Sequence, residues 1–157
     1  LMTPILFYAK KTTNLLFFLF IPFSITAQQN LDKAHIAASG YDVVSYFSNK
    51  AVMGNETLRM QHNGAIYLFN SKENEKAFVE NPEKYIPQYG GWCAYAMGDS
   101  GKKVSINPTS FSVEDGKLYL FYKTRFVNTK KRWKGNTKSL KARADKNWES
   151  ITNKPIQ

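Results

Sequence analysis

Apolar and β-branched residues form two pairs of short runs, and each pair is separated by two residues that favour a tight turn. Residues 57–62 and 65–69 flank Asn63-Gly64, and residues 111–114 and 117–122 flank Asp115-Gly116. Asn-Gly and Asp-Gly are strong hairpin signals because both turn positions need a positive φ. The pattern therefore predicts two antiparallel hairpins.

A helix is predicted between the two hairpins. Ser71 is a suitable amino-terminal cap, and Glu73 and Glu75 complement the positive end of the helix dipole. Phe78 contributes to its apolar face, and Asn81-Pro82 ends it because the residue before a proline is driven out of helical geometry. Hairpins with an intervening helix predict an α+β domain with a small antiparallel sheet.

The remaining elements lie on the carboxyl-terminal side of this core. A basic run, 102–106, is predicted to be a strand. Apolar residues recur at helical spacing over 138–148, which predicts an amphipathic helix whose apolar edge packs on the sheet. Phe126 and Trp133 indicate another helix before it, with a break at Gly135-Asn136.

The amino-terminal residues have the pattern of a secretory signal. Lys10 and Lys11 precede an apolar run over 15–23, and small and polar residues follow around Ala27. We expect cleavage after Ala27, which makes 1–27 a signal peptide and predicts a periplasmic or secreted protein. The alternative is a segment that is retained as a membrane anchor.

Composition predicts a single monomeric domain over 28–157. The chain has 157 residues, of which 43% are hydrophobic, enough for one core. The net charge is +10, and residues 123–157 carry eleven basic residues against Asp145 and Glu149. This basic tail either solvates the protein or contacts an anionic envelope surface or a protein partner. No nucleic acid partner is expected for an exported chain, and membrane contact is expected only through the signal peptide.

Cys93 is the only cysteine, and it lies between a Gly-Gly pair and a run of aromatic residues. An exported chain with one cysteine forms no internal disulfide, so the thiol is inert and buried, reactive, or a ligand. Met97 lies one helical turn beyond Cys93, and His62 supplies an imidazole. Such donors suit copper or zinc, so Cys93, His62 and Met97 are the candidate metal ligands.

Catalysis is the less favoured alternative. A nucleophilic Cys93 would need a base and an orienting group, for which His62 and Asp42 are the candidates. The sequence holds no glycine-rich phosphate loop, serine elbow or histidine-glutamate metal motif. We therefore expect a binding module in preference to an enzyme.

Five segments in order resemble the motifs of one family. They are Gly40-Tyr41-Asp42-Val43-Val44-Ser45-Tyr46-Phe47, the stretch 63–71, the stretch 78–85, Gln88-Tyr89-Gly90-Gly91-Trp92-Cys93-Ala94, and the stretch 115–120. Together they resemble YHS domain-containing proteins of the exported bacterial kind.

This resemblance implies a small module related to metallochaperone-like domains that bind metal through thiolates. The positions that match those thiolates are Ser45, Asn70 and Asn74, none of which is a soft-metal ligand. The resemblance therefore implies a subgroup that keeps the scaffold and carries a different cysteine, here Cys93.

Overall fold

The computed structural model describes residues 28–153, which form an α+β fold of two hairpins and five α-helices. The strands are β1 (Asn55–His62), β2 (Ala65–Phe69), β3 (Asn107–Glu114) and β4 (Lys117–Phe121). The helices are α1 (Lys72–Glu80), α2 (Pro82–Tyr85), α3 (Ala94–Ser100), α4 (Thr129–Gly135) and α5 (Thr137–Thr152).

Both predicted hairpins are confirmed, and each forms its own two-stranded antiparallel sheet. Strand β1 pairs with β2, and strand β3 pairs with β4. The turn residues Asn63 and Gly64 have φ of 48° and 77°, and Asp115 and Gly116 have φ of 52° and 71°. These are the two consecutive positive φ values that a two-residue hairpin turn requires.

The predicted helix after the first hairpin is also confirmed as α1. The Ser71 side chain accepts a hydrogen bond from the Asn74 N–H at 3.1 Å, which satisfies one of the free donors at the helix start. Asn81 ends α1, and Pro82 starts the short α2, where its fixed φ and missing N–H are tolerated.

Strand β4 separates two hydrophobic clusters because successive side chains of a strand point to opposite faces. Leu118 and Leu120 belong to the first cluster, which packs under β2 and α1. Tyr119 and Phe121 belong to the second cluster, which α3, α4 and α5 cover. One strand thus supplies apolar residues to both halves of the core.

Helix α5 packs mainly on α3, and its apolar edge also joins the second cluster beside β4. The two helices approach closely at Gly98, where a Cβ atom would overlap the Leu140 carbonyl oxygen. The Arg143 Nε–H donates to the Gly98 carbonyl at 2.8 Å, and the Asn147 amide donates to the Met97 carbonyl at 2.8 Å. These bonds satisfy carbonyl groups near the end of α3.

One predicted element is wrong, and the predicted helix before Gly135-Asn136 is confirmed as α4 but does not include Phe126. Residues 102–106 form no strand, since the Val104 carbonyl accepts the Cys93 N–H at 2.9 Å at the start of α3, outside any strand pair. Phe126 lies outside α4, in the loop before it, and is 89% exposed. Trp133 alone is the buried aromatic anchor of α4.

None of the helices within residues 28–153 has both the length and the apolar character of a membrane span. The predicted signal peptide lies outside the described residues.

Candidate ligand-binding cleft

Cys93 is fully buried at the amino-terminal cap of α3. Its Sγ accepts a hydrogen bond from the Tyr122 N–H at 3.2 Å and lies 3.4 Å from Thr129 Oγ1. The Thr129 hydroxyl in turn donates to the Tyr122 carbonyl at 2.7 Å. The thiol therefore joins the start of α3 to the end of β4 and the start of α4, which is a structural role.

The other two candidate ligands have different surroundings. Met97 lies one turn along α3 from Cys93 and is fully buried in the second cluster. His62 lies at the end of β1, where its Nε2 is 3.1 Å from Glu83 Oε1 and 3.0 Å from the Asn63 amide nitrogen. The structure thus places Cys93 and Met97 on one helical turn, while the hydrogen bonds of His62 go to the hairpin turn and α2.

No group of three or more His, Cys, Asp and Glu residues in the described part of the chain could hold a metal ion. Metal binding by Cys93, His62 and Met97 stays a prediction from the sequence. The hydrogen bonds of Cys93, His62 and Asp42 also go to separate partners, so the geometry gives no support to a catalytic set of these three residues.

Asp42 is a buried hydrogen-bonding centre, and the positions that the resemblance matches to thiolates surround it. Its Oδ1 accepts the N–H groups of Val44 at 2.9 Å and Ser45 at 3.3 Å. Its Oδ2 accepts the Asn70 N–H at 2.9 Å and the Asn74 side-chain amide at 2.7 Å. A hydrogen-bonded carboxylate therefore stands where Ser45, Asn70 and Asn74 converge.

A cleft of about 480 Å³ lies between the two hydrophobic clusters. We call it the seam cleft. The segments that line it are Gln29–Asn30, Ala37–Ala38, Asn63, Tyr67, Glu83, Ile86 to Gly91, and the α5 residues Asp145, Trp148, Glu149 and Thr152.

The backbone of Tyr89-Gly90-Gly91 shapes one wall of the seam cleft. All three residues have positive φ, at 56°, 61° and 81°. Gly90 fits only without a side chain, because a Cβ would lie 2.7 Å from the Trp148 ring. The Asn30 N–H donates to the Gly90 carbonyl at 2.8 Å, and the Asn30 amide donates to the Gly91 carbonyl at 3.1 Å.

Two tyrosines form the inner part of the cleft, since Tyr67 is 3% and Tyr89 is 4% exposed. Burial raises the pKa of both phenols, and Glu83 adds to the effect on the Tyr67 pKa. The Tyr89 pKa is raised further by the hydrogen bond that its hydroxyl donates to Asp145 Oδ1 at 2.8 Å. Tyr67 lines the cleft, and its hydroxyl forms no hydrogen bond with any residue in 28–153.

The rim of the seam cleft is acidic. Glu83, Asp145 and Glu149 are exposed and line it, and no lysine or arginine of the described chain does so. This contrasts with the net charge of +10. The charged side chains that line the cleft are therefore opposite in sign to the net charge of the chain.

Sequence reasoning missed the seam cleft, although one signal was present. Asp145 and Glu149 are the only acidic residues in the basic tail, 123–157, and they are four residues apart. That spacing places both carboxylates on one face of α5. Their partners in the cleft come from distant parts of the chain, which the spacing alone does not reveal.

In comparisons with known proteins, no family model, no curated protein and no solved structure matches this chain.

Proposed function

We propose that this protein is a binding module whose ligand is a small organic cation held in the seam cleft. One observation carries the proposal: three carboxylates and no cationic side chain of the described residues line the seam cleft of a strongly basic chain. A site that is lined by negative charges, on a chain whose net charge is positive, favours a positively charged ligand.

The inner surface of the cleft suits an ammonium or guanidinium group with an apolar part. Tyr67, Tyr89 and Trp148 supply aromatic rings, which attract cations through their π systems. The buried alanines 37 and 38 supply apolar contact. A volume of about 480 Å³ lies in the range of small-molecule sites.

The resemblance to exported YHS domain-containing proteins is compatible with a binding role outside the cytoplasm. The convergence of Ser45, Asn70 and Asn74 on Asp42 supports the resemblance, because residues far apart in sequence meet where the family motif requires a common site. Export itself depends on 1–27 and is part of the proposal.

Copper or zinc binding through Cys93 is the competing version of the binding role. It would require the buried thiol to exchange its contacts with Tyr122 and Thr129 for a metal. The seam cleft is open without any such rearrangement, and for that reason we favour it as the binding site.

The proposal is tested by calorimetric titration of the full chain with choline, spermidine and agmatine, together with 3,3-dimethylbutanol, the neutral isostere of choline. We expect at least one cation to bind with a dissociation constant below about 1 mM, and no binding of the neutral isostere. The change Glu149→Gln should weaken binding by about threefold or more, because it removes one exposed carboxylate at the rim.

A matched pair of triple variants separates the site from net charge. Glu83→Gln/Asp145→Asn/Glu149→Gln removes the rim carboxylates, whereas Glu56→Gln/Glu80→Gln/Asp99→Asn removes three exposed carboxylates outside the cleft. Binding should be lost in the first variant and kept in the second. Failure of all three cations to bind, or equal loss in both variants, would rule out the proposed site.

A further inference from the structure

The loop between β4 and α4 presents an aromatic side chain in a basic setting. We define the basic tip as residues 123–128 together with Lys131 and Arg132. Phe126 is 89% exposed, and it is the only aromatic residue of the described chain that is exposed. Its ring centroid lies 5.7 Å from the Arg125 guanidinium carbon, and the rest of the ring faces solvent, which leaves it available to a partner.

The basic tip is held in a defined shape. The Thr124 N–H donates to the Val127 carbonyl at 2.8 Å, and the Thr124 hydroxyl accepts the N–H groups of Phe126 at 3.3 Å and Val127 at 3.1 Å. Lys123 and Asn128 pair as an antiparallel bridge at its base. The hydrogen bonds therefore project Arg125 and Phe126 from a tight turn.

The charge of the basic tip is uncompensated. The side chains of Lys123, Arg125, Lys131 and Arg132 line the shallow concavity beside Phe126, and no carboxylate in 28–153 lines it or forms an ion pair with them. All four are exposed. Four cations without an anionic neighbour form a surface that attracts an anionic partner.

We infer that the basic tip docks the folded domain on an anionic phospholipid surface, with Phe126 inserted among the headgroups. Anionic lipid attracts the cations, and insertion removes the exposed ring from water; this is the combination used by interfacial membrane contacts. A single projecting ring fits this role better than single-stranded nucleic acid, which stacks successive bases on several aromatic residues. The sequence predicted membrane contact through the signal peptide alone. The basic tip gives the folded domain a membrane contact of its own.

Vesicle flotation of the full chain tests the inference, with phosphatidylcholine vesicles that do or do not contain phosphatidylglycerol. The tip variant is Arg125→Ala/Phe126→Ala/Lys131→Ala. Its matched control is Lys72→Ala/Lys76→Ala/Val79→Ala, which also removes two cations and one exposed apolar side chain, here from α1. Residues 1–27 are the same in every variant, so their own affinity for lipid cancels in the comparison.

We expect the tip variant to lose at least about 50-fold in affinity for the anionic vesicles, and the control to stay within about threefold of the parent chain. Phe126→Ala alone should lower the affinity for anionic vesicles about tenfold, and Phe126→Trp should retain the affinity of the parent chain. All these residues are exposed, so the thermal unfolding curves should coincide.

Three results would overturn the inference. The first is equal binding by the tip variant and the parent chain. The second is an equal loss in the tip variant and the α1 control, which would show that only net charge matters. The third is displacement of the parent chain from the anionic vesicles by single-stranded RNA at equal phosphate concentration, which would identify a nucleic acid partner for the tip.

Discussion

Asp42 shows how one residue organises the amino-terminal half of the fold. It is the only charged side chain in 28–153 that is fully buried. Its two oxygens accept four N–H groups, from Val44, Ser45, Asn70 and Asn74. Burial of a carboxylate is costly unless its hydrogen-bonding capacity is satisfied, and here it is satisfied on both oxygens.

We predict that Asp42→Ala lowers the free energy of unfolding by about 3 kcal/mol or more, because it leaves several buried donors without a partner. Urea unfolding followed by circular dichroism measures this change. The matched control is Asp32→Ala, since the Asp32 carboxylate also accepts two backbone N–H groups, of Ala34 and Ile36, but lies exposed to solvent.

Asp32→Ala should lower the free energy of unfolding by about 1 kcal/mol or less, because water can accept the hydrogen bonds that the Asp32 carboxylate accepted. Equal losses in the two variants would contradict the assignment of Asp42 as a buried hydrogen-bonding centre.

At the scale of elements, the contact between α3 and α5 fixes one wall of the seam cleft. Helix α5 carries Asp145, Trp148 and Glu149, and its position depends on how closely it approaches α3. Gly98 permits this approach, because any side chain there would meet the backbone of Leu140. A helical glycine with an ordinary φ is thus required by packing and not by backbone conformation.

We predict that Gly98→Ala destabilises the protein by about 2 kcal/mol, even though alanine is the better helix former. The overlap involves backbone atoms, which cannot rotate away as a side-chain end can. Thermal unfolding of the variant measures the loss, and weaker ligand binding in the seam cleft should accompany it.

Gly135→Ala is the matched control, because a Cβ at Gly135 in α4 meets nothing within 4 Å. This change should be neutral or stabilising by up to about 1 kcal/mol. A stabilising Gly98→Ala would mean that α5 does not approach α3 as closely as the structure has it.

At the scale of the whole molecule, features that depend on neighbouring residues could be predicted from the sequence. Features that depend on contacts between distant residues could not. The turns at Asn63-Gly64 and Asp115-Gly116 were predictable because two adjacent residues determine their conformation. The helix cap at Ser71 was predictable for the same reason. The run 102–106 looked like a strand, but a strand needs a partner, and its Val104 carbonyl bonds to Cys93 instead.

The seam cleft could not be predicted because it depends on contacts between distant residues. The Asn30 N–H bonds to the Gly90 carbonyl, and Trp148 packs against Gly90. The Gly-Gly pair is visible in the sequence, yet nothing local identifies the residue that packs against it. The exposure of Phe126 was likewise hidden, since an aromatic residue near a helix is usually part of its apolar face.

Both hydrophobic clusters contain buried tyrosines, and these make the stability of the whole molecule decrease at alkaline pH. Burial raises the pKa of Tyr46 and Tyr67 in the first cluster and of Tyr89 in the second, above the ordinary value of 10.0. Once the pH exceeds 10, the folded state holds protons on these phenols that the unfolded state has lost. Folding stability is therefore complete below pH 10 and falls as the pH rises further.

We predict that the free energy of unfolding decreases above about pH 10, with up to about 1.4 kcal/mol per pH unit contributed by each of the three tyrosines. Urea unfolding across this range measures the slope, and Tyr67→Phe should make it shallower by up to about 1.4 kcal/mol per pH unit. Lysines titrate in the same range, so the difference between the parent chain and the variant isolates Tyr67. An identical slope in both would mean that the Tyr67 phenol ionises as easily in the folded protein as in the unfolded chain, which would contradict its burial in the first cluster.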